Sequence, residues 1–210
     1  MNSNVQTSSL NFNIIGRRKL LFTLLGSTVT ACFSETLSIR KCRASDNLSG
    51  FQYLKKPLDI SMLFFQNLSG EKISLSAYSG EYLLLHKWAT WCGPCVKDLG
   101  NIQNVLTSLP VDISKRILLL AVQSGSPEDV GRFLKGHHFN IPTLVDKGDA
   151  IESIVFKTQR IFGSLPANYL IDDKSRIVAV SNGIIEWNIE KIKPLALSMK
   201  KMMRSEAELN

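Results

Sequence analysis

Two cysteines separated by two residues, Cys92 and Cys95, constrain this chain more than any other feature of its sequence. They follow an apolar run at residues 82–85 that predicts a buried strand, and the apolar stripe after them predicts a helix. Cys92 therefore falls at the start of that helix, where unpaired backbone N–H groups and the helix dipole stabilise a thiolate. Because Cys95 follows one turn later, it can form a disulfide with Cys92. The pair is predicted to be a redox-active dithiol.

The residues between the cysteines agree with this interpretation. Gly93 and Pro94 suit the first turn of a helix, because proline has a fixed φ and lacks an N–H that would need a partner. A zinc site or a purely structural bridge is the alternative for such a pair. Zinc needs two further cysteine or histidine ligands at matching spacing, and the sequence has no second C-x-x-C or spaced histidine pair. We therefore expect no metal and no cofactor other than the dithiol itself.

Composition limits the classes of protein to which the chain can belong. It has 210 residues, of which 44% are apolar, and its net charge is +7. These values describe an ordinary soluble domain with extensions and exclude a polytopic membrane protein. The basic residues cluster before the predicted domain and at its end, without a basic stripe interleaved with aromatic residues. Nucleic acid is therefore not an expected partner.

Residues 1–33 have the pattern of an export signal or anchor. A basic group at residues 17–19 precedes a short apolar run at 20–25 and small residues at 26–29, and no acidic residue interrupts them. This order predicts that the rest of the chain is translocated. Three endings remain open, namely lipidation at Cys32, cleavage after Ala31 and retention as an anchor. An organellar transit peptide of similar composition is an alternative.

The rest of the chain is predicted to form a tether at residues 34–57, a domain at 58–203 and a tail at 204–210. The tether is polar and has no periodicity, and Cys42 within it could pair with Cys32 or stay free. Within the domain, the pattern predicts a hairpin at 60–65 and 72–75, strands at 82–88, 116–122 and 143–146, helices from the dithiol to Pro110 and at 126–137, 150–161 and 189–203, and a hairpin at 169–172 and 177–181. This order indicates an α/β fold in which helices sandwich a mixed β-sheet.

The motif W-A-T-W-C-G-P-C at residues 88–95 resembles the active site of the thioredoxin superfamily. The Ala-Thr pair between its tryptophans is similar to the membrane-tethered TlpA/ResA branch. The resemblance implies a thioredoxin fold with an N-terminal β-hairpin extension. It also implies that Pro166 is a cis-proline beside the dithiol and that the backbone of Leu165 pairs with an extended substrate segment. Trp91, Gly93 and Pro94 complete the expected substrate-binding surface.

Two residues are candidates for moving the Cys95 proton. Asp98 lies on the Cys95 side of the helix, at a position where TlpA/ResA-like proteins commonly carry an acid. His86 occupies the place at which thioredoxins proper bury an aspartate. Alternatively, Asp98 is an exposed first-turn acid and His86 a satisfied core histidine. Lys87 replaces an expected apolar residue, so it must reach solvent or pair with an acid that the sequence does not identify.

Taken with the resemblance, these residues predict an extracytoplasmic thiol:disulfide oxidoreductase tethered to the outer face of the bacterial cytoplasmic membrane. The expected activity is reduction of cysteines in proteins of cytochrome c or cytochrome oxidase maturation, by a monomer that a membrane electron donor re-reduces. Its partners would be protein substrates with disulfides. The alternatives are an oxidant that introduces disulfides, a dithiol module that delivers copper and, less favoured, a peroxidase.

Overall fold

The structure is a computed structural model that describes residues 50–159 and 163–207, with side chains given except for residue 159 and residues 199–207. The predicted leader, Cys32, Cys42 and most of the predicted tether lie outside the described residues. Within the described part of the chain, no helix is both long and apolar enough to cross a membrane.

Eight strands form one mixed sheet. They are β1 (Gln52–Asp59), β2 (Phe64–Asn67), β3 (Lys72–Ser74), β4 (Leu83–Trp88), β5 (Ile117–Val122), β6 (Thr143–Asp146), β7 (Ala167–Ile171) and β8 (Arg176–Asn182). Their order across the sheet is β1-β8-β7-β4-β5-β6-β2-β3. The β4–β5 and β5–β6 pairs are parallel and the other neighbours antiparallel. The central strands β4 and β5 are buried along their whole length, as their continuous apolar runs predict.

Five α-helices accompany the sheet: α1 (Gly93–Ser108), α2 (Val111–Ser114), α3 (Pro127–Gly136), α4 (Ala150–Gln159) and α5 (Ile189–Ala207). A short 3₁₀ helix occupies Leu75–Tyr78. α1 begins at Cys92 as its N-cap, with Pro94 in the first turn, and it continues without interruption past Gly100. α3 begins with a reciprocal capping box between Ser126 and Asp129.

Successive side chains of β4 point to opposite faces of the sheet. The even-numbered residues join the core that includes α1, α3 and α5, and the odd-numbered apolar residues join the core that includes α4 and β2. His86 therefore lies on the face that carries the dithiol, whereas Lys87 lies on the opposite face. Helices on both faces of a mixed sheet confirm the predicted fold class.

Most predicted elements are present, with differences at the ends of the domain. The predicted hairpins form as β2–β3 and β7–β8, and β2 also pairs with β6, which adds the N-terminal hairpin to the main sheet. The prediction that residues 52–57 belong to a tether is wrong, because they form most of β1 and pair with β8. β1 is a mostly exposed edge strand that contains Pro57, so it lacks the apolar run that identifies a strand. Similarly, α5 extends into the predicted tail as far as Ala207.

Candidate active site

The dithiol lies where β4 passes into α1. The two cysteines form a disulfide, with a Cα–Cα distance of 5.2 Å. Cys92 is the N-cap of α1, and its Sγ accepts a hydrogen bond from the Cys95 backbone N–H at 3.3 Å. Cys95 is completely buried, whereas 7% of Cys92 is exposed and the adjacent Gly93 and Pro94 are exposed. The structure therefore presents Cys92 to an incoming group and keeps Cys95 behind it.

The segment before Cys92 is fixed to the loop that follows β5. The Trp91 indole N–H donates to the Gln123 carbonyl at 3.0 Å, and the Thr90 N–H donates to Ser124 Oγ, also at 3.0 Å. Although the hydrogen bond to Gln123 holds the indole, 63% of Trp91 remains exposed. Sequence reasoning identified Trp91 but missed Gln123 and Ser124, since nothing before the fold is known places them beside the motif.

The loop at residues 163–166, here called the proline loop, lies at the same edge of the sheet. The Leu165–Pro166 peptide bond is cis, as the family resemblance implies. β7 follows the loop directly and runs antiparallel to β4, with Ala167 opposite Lys87. The start of β7 is therefore beside the end of β4, where the dithiol motif begins. Among the described residues the Leu165 backbone has no hydrogen-bond partner, whereas the Pro166 carbonyl accepts the Gly183 N–H at 2.8 Å.

Asp98 is on the buried side of α1, one turn after Cys95. It is only 3% exposed, so the alternative of an exposed first-turn acid is wrong. Burial raises the pKa of its carboxyl group to about 6, and the polar groups of Asn101 and Trp187 offset part of that rise. Oδ2 of Asp98 and Nε1 of Trp187 nevertheless complete no hydrogen bond of good geometry with any described residue. Asp98 is therefore an acid poised to exchange a proton near neutral pH.

His86 is completely buried on the same face of the sheet. Its Nδ1 lies 2.8 Å from Oδ1 of Asn168, and its ring meets the Trp187 ring edge to face, with 5.5 Å between centroids. Burial lowers the pKa of His86 to about 4, although the Asn168 hydrogen bond acts in the opposite direction. The imidazole is accordingly neutral at pH 7. Within the described residues its Nε2 has no partner, so His86 is only partly satisfied.

Lys87 points into the opposite core and pairs with two acids. Its Nζ lies 3.0 Å from Oδ2 of Asp149 and 2.9 Å from Oε2 of Glu152, while its side chain is 2% exposed. Burial alone would lower the pKa of Lys87, but Tyr169, Glu152 and Asp149 together raise it, so the ammonium group stays charged. Sequence reasoning predicted that Lys87 would either reach solvent or pair with an acid, and it could not identify the acids because both are more than 60 residues away.

Comparison with known proteins assigns this site to a family. The sequence profile of the AhpC/TSA family matches residues 56–180, more than half of the chain. The chain belongs to the AhpC/TSA family. The curated relatives of this family member include the thiol-disulfide oxidoreductase ResA of Geobacillus kaustophilus, which is 28% identical over 134 residues that cover 61% of this chain and 72% of ResA. Sporulation thiol-disulfide oxidoreductase A of Bacillus subtilis is 27% identical over 144 residues, which cover 65% of this chain and 83% of that protein.

A solved structure supports the assignment of the fold. The secreted thiol-disulfide isomerase of Corynebacterium glutamicum superposes with a TM-score of 0.56 at 17% identity, and the match covers 74% of this chain and 94% of that protein. This AhpC/TSA family member thus has the thioredoxin fold, and its relatives identify it as a thiol-disulfide oxidoreductase. In the part of the chain that the structure describes, no cluster of three or more His, Cys, Asp or Glu side chains could hold a metal ion.

Proposed function

We propose that this protein is an extracytoplasmic protein-disulfide reductase that acts on proteins of cytochrome c or cytochrome oxidase maturation. The arrangement of the dithiol carries the proposal: Cys92 caps α1 at the surface, Cys95 is buried behind it, and Asp98 follows one turn later. Backbone N–H groups at the helix N-terminus favour the Cys92 thiolate after reduction. The Gly-Pro spacer supports the reducing direction. The motif that contains it resembles that of thioredoxin, which is a far weaker oxidant than DsbA.

In the proposed reaction, the Cys92 thiolate attacks one sulfur of a client disulfide. The other client sulfur leaves and takes up a proton, which gives the first client thiol and a mixed disulfide. Cys95 then transfers its proton to the Asp98 carboxylate and attacks the Cys92 sulfur, which forms the Cys92–Cys95 disulfide. The second client sulfur leaves and is protonated in turn. Two electrons pass to the client, and a membrane electron donor restores the dithiol.

The surface around Cys92 supports docking of an extended client segment. The Leu165 backbone has no hydrogen-bond partner among residues 50–159 and 163–207, and such unpaired groups bind extended chains by adding a strand. Trp91, Gly93 and Pro94 are exposed beside the reactive sulfur and would contact the same segment. His86 would act as a second proton carrier through its unpartnered Nε2, although its low pKa makes Asp98 the better proton acceptor at neutral pH.

The sequence of residues 1–33 supports export and attachment to the outer face of the cytoplasmic membrane, either through Cys32 as a lipidated residue or through the apolar run itself. The exposed charged residues in the described part of α5, Glu190, Lys191 and Lys193, favour a monomer in this proposal. The proposed partners are therefore protein disulfides in the extracytoplasmic space and a membrane protein that donates electrons.

Two experiments test the proposal. Equilibration with glutathione should give a constant typical of a reductant, and a constant typical of a strong oxidant would reverse the proposed direction. In cells, Cys95→Ser should retain clients as mixed disulfides on Cys92, whereas Cys92→Ser, the matched control, should retain none. Recovery of cytochrome or oxidase assembly proteins supports the specific role. Recovery of general thiol proteins alone would contradict it.

A further inference from the structure

Lys87 occupies a buried position at which a charged side chain is energetically unfavourable. It lies in the central strand β4 between His86 and Trp88, where an apolar side chain would avoid the cost of burying an ammonium group. One carboxylate would neutralise it, yet both Asp149 and Glu152 bind its Nζ. A buried group that breaks the local pattern and is fully paired is expected to serve a specific arrangement of the chain.

Glu152 connects this ion pair to the proline loop. While its Oε2 binds Lys87, its Oε1 accepts a hydrogen bond from the Gly163 backbone N–H, the first residue of the loop. The contact is so close that a Cβ atom at Gly163 would overlap the Glu152 carboxylate. The other end of the loop is held by the bond from Gly183 to Pro166. Between these two anchors lie exposed Ser164 and half-buried Leu165.

We propose that Lys87 and Glu152 are positioning residues that hold the proline loop in the shape that docks the client. β4 carries Lys87 five residues before Cys92, so one strand sets the position of both the dithiol and the loop anchor. Lys87 fixes the Glu152 carboxylate, and that carboxylate fixes Gly163. The inference rests on the proposed docking of clients at Leu165, and it predicts that losing the anchor weakens docking without changing the chemistry of the dithiol.

Asp149 provides a matched control. It binds the same ammonium group at a similar distance, but it makes no contact with the proline loop; its Oδ1 instead accepts the Glu152 N–H at the start of α4. Asp149→Asn removes one negative charge from Lys87 and leaves one side-chain oxygen for either Lys87 or the Glu152 N–H, but the Glu152 carboxylate keeps both oxygens and can still bind Lys87 and Gly163. Glu152→Gln removes the same charge, but its single amide oxygen can serve either Lys87 or Gly163. Because the ammonium group binds that oxygen more strongly, the amide N–H₂ would then face the Gly163 N–H.

The test compares the full-length wild type with Glu152→Gln, Gly163→Ala, Lys87→Met and Asp149→Asn. KM is measured with a protein disulfide such as insulin and with a reduced protein as the substrate of the opposite direction. We expect the first three variants to raise KM at least fivefold, with kcat, the rate with dithiothreitol and the glutathione equilibrium within twofold of wild type. Asp149→Asn should leave KM within twofold.

Amide hydrogen exchange tests the anchor separately from turnover. Exchange at Gly163 should be at least tenfold faster in Glu152→Gln and unchanged in Asp149→Asn. Equal effects of Glu152→Gln and Asp149→Asn on KM, or a lower melting temperature with unchanged KM and exchange, would overturn the inference. An oxidising glutathione equilibrium in the wild type would instead contradict the proposed reductase direction and leave the comparison of KM values valid.

Discussion

At the scale of single residues, the proposed function makes Asp98 the acceptor of the Cys95 proton. Its pKa of about 6 makes it mostly a carboxylate at pH 7, so it can accept the thiol proton, and protonation below pH 6 removes that capacity. Resolution of a mixed disulfide on Cys92 should therefore slow as the pH falls through about 6. Asp98→Asn should lower the rate at pH 7 by about 10²-fold, which is the lower end of the range for general acid–base catalysis.

Stopped-flow measurement of product release from a preformed mixed disulfide checks this prediction. Glu190→Gln, which removes an exposed acid at the start of α5, serves as the control and should keep the wild-type profile. If Asp98→Asn retained an inflection near pH 6, another group would have to accept the proton.

The same residues show what the sequence can predict at this scale. Cys95 and Asp98 are three residues apart on one helix, so their common buried side follows from helical geometry alone. The pairing of His86 with Asn168 and of Lys87 with Glu152 depends on the register of β7 against β4 and on the position of α4. Neither is encoded by local spacing. Asn168 is a polar residue in the largely apolar strand β7, and its position in the sequence does not identify His86 as its partner.

At the scale of secondary-structure elements, the capping box of α3 supports the loop that holds Trp91. Ser126 Oγ accepts the Asp129 N–H at 3.2 Å, and the Ser126 N–H donates to the Asp129 carboxylate at 2.9 Å. Ser126→Ala should destabilise the fold by about 1 kcal/mol, the usual cost of losing a side-chain cap. Chemical denaturation of the oxidised protein measures this loss. Ser153→Ala, an exposed position within α4, should change the free energy of unfolding by less than about 0.5 kcal/mol.

Elements with strong local signals were predictable, and elements that depend on neighbours were not. The Ser-Pro-Glu-Asp sequence predicts the start of α3, and the apolar runs predict β4 and β5. β1 instead owes its existence to pairing with β8, because its own residues mix polar and apolar types without a continuous apolar run and are mostly exposed. The β2–β3 hairpin was predictable because a short turn joins its strands. Its attachment to β6 was not, because that pairing joins segments that are far apart in the sequence.

At the scale of the whole molecule, two buried groups give opposite pH dependences to stability. The pKa of Asp98 is about 6 in the folded protein, above its usual 3.8, so its stabilising contribution is full below pH 3.8 and is lost as the pH rises through 6. The pKa of His86 is about 4, below its usual 6.5, so its contribution is present above pH 6.5 and is lost as the pH falls through 4. Their effects largely cancel between pH 4 and 6.5.

Single substitutions should reveal how each of the two groups makes the free energy of unfolding depend on pH. In the oxidised protein, where the cysteines do not titrate, Asp98→Asn should lose stability as the pH falls from 7 to 4.5, because only His86 then takes up a proton on unfolding. His86→Gln should gain stability over the same interval, because only the opposing slope of Asp98 remains. Each change should amount to roughly 1–3 kcal/mol, since one pKa unit corresponds to about 1.4 kcal/mol. Urea denaturation at several pH values measures both slopes. Parallel slopes in the two variants would mean that these buried groups do not control the pH dependence. Opposite slopes that are both absent from the double variant would instead trace the pH dependence to the core behind the dithiol.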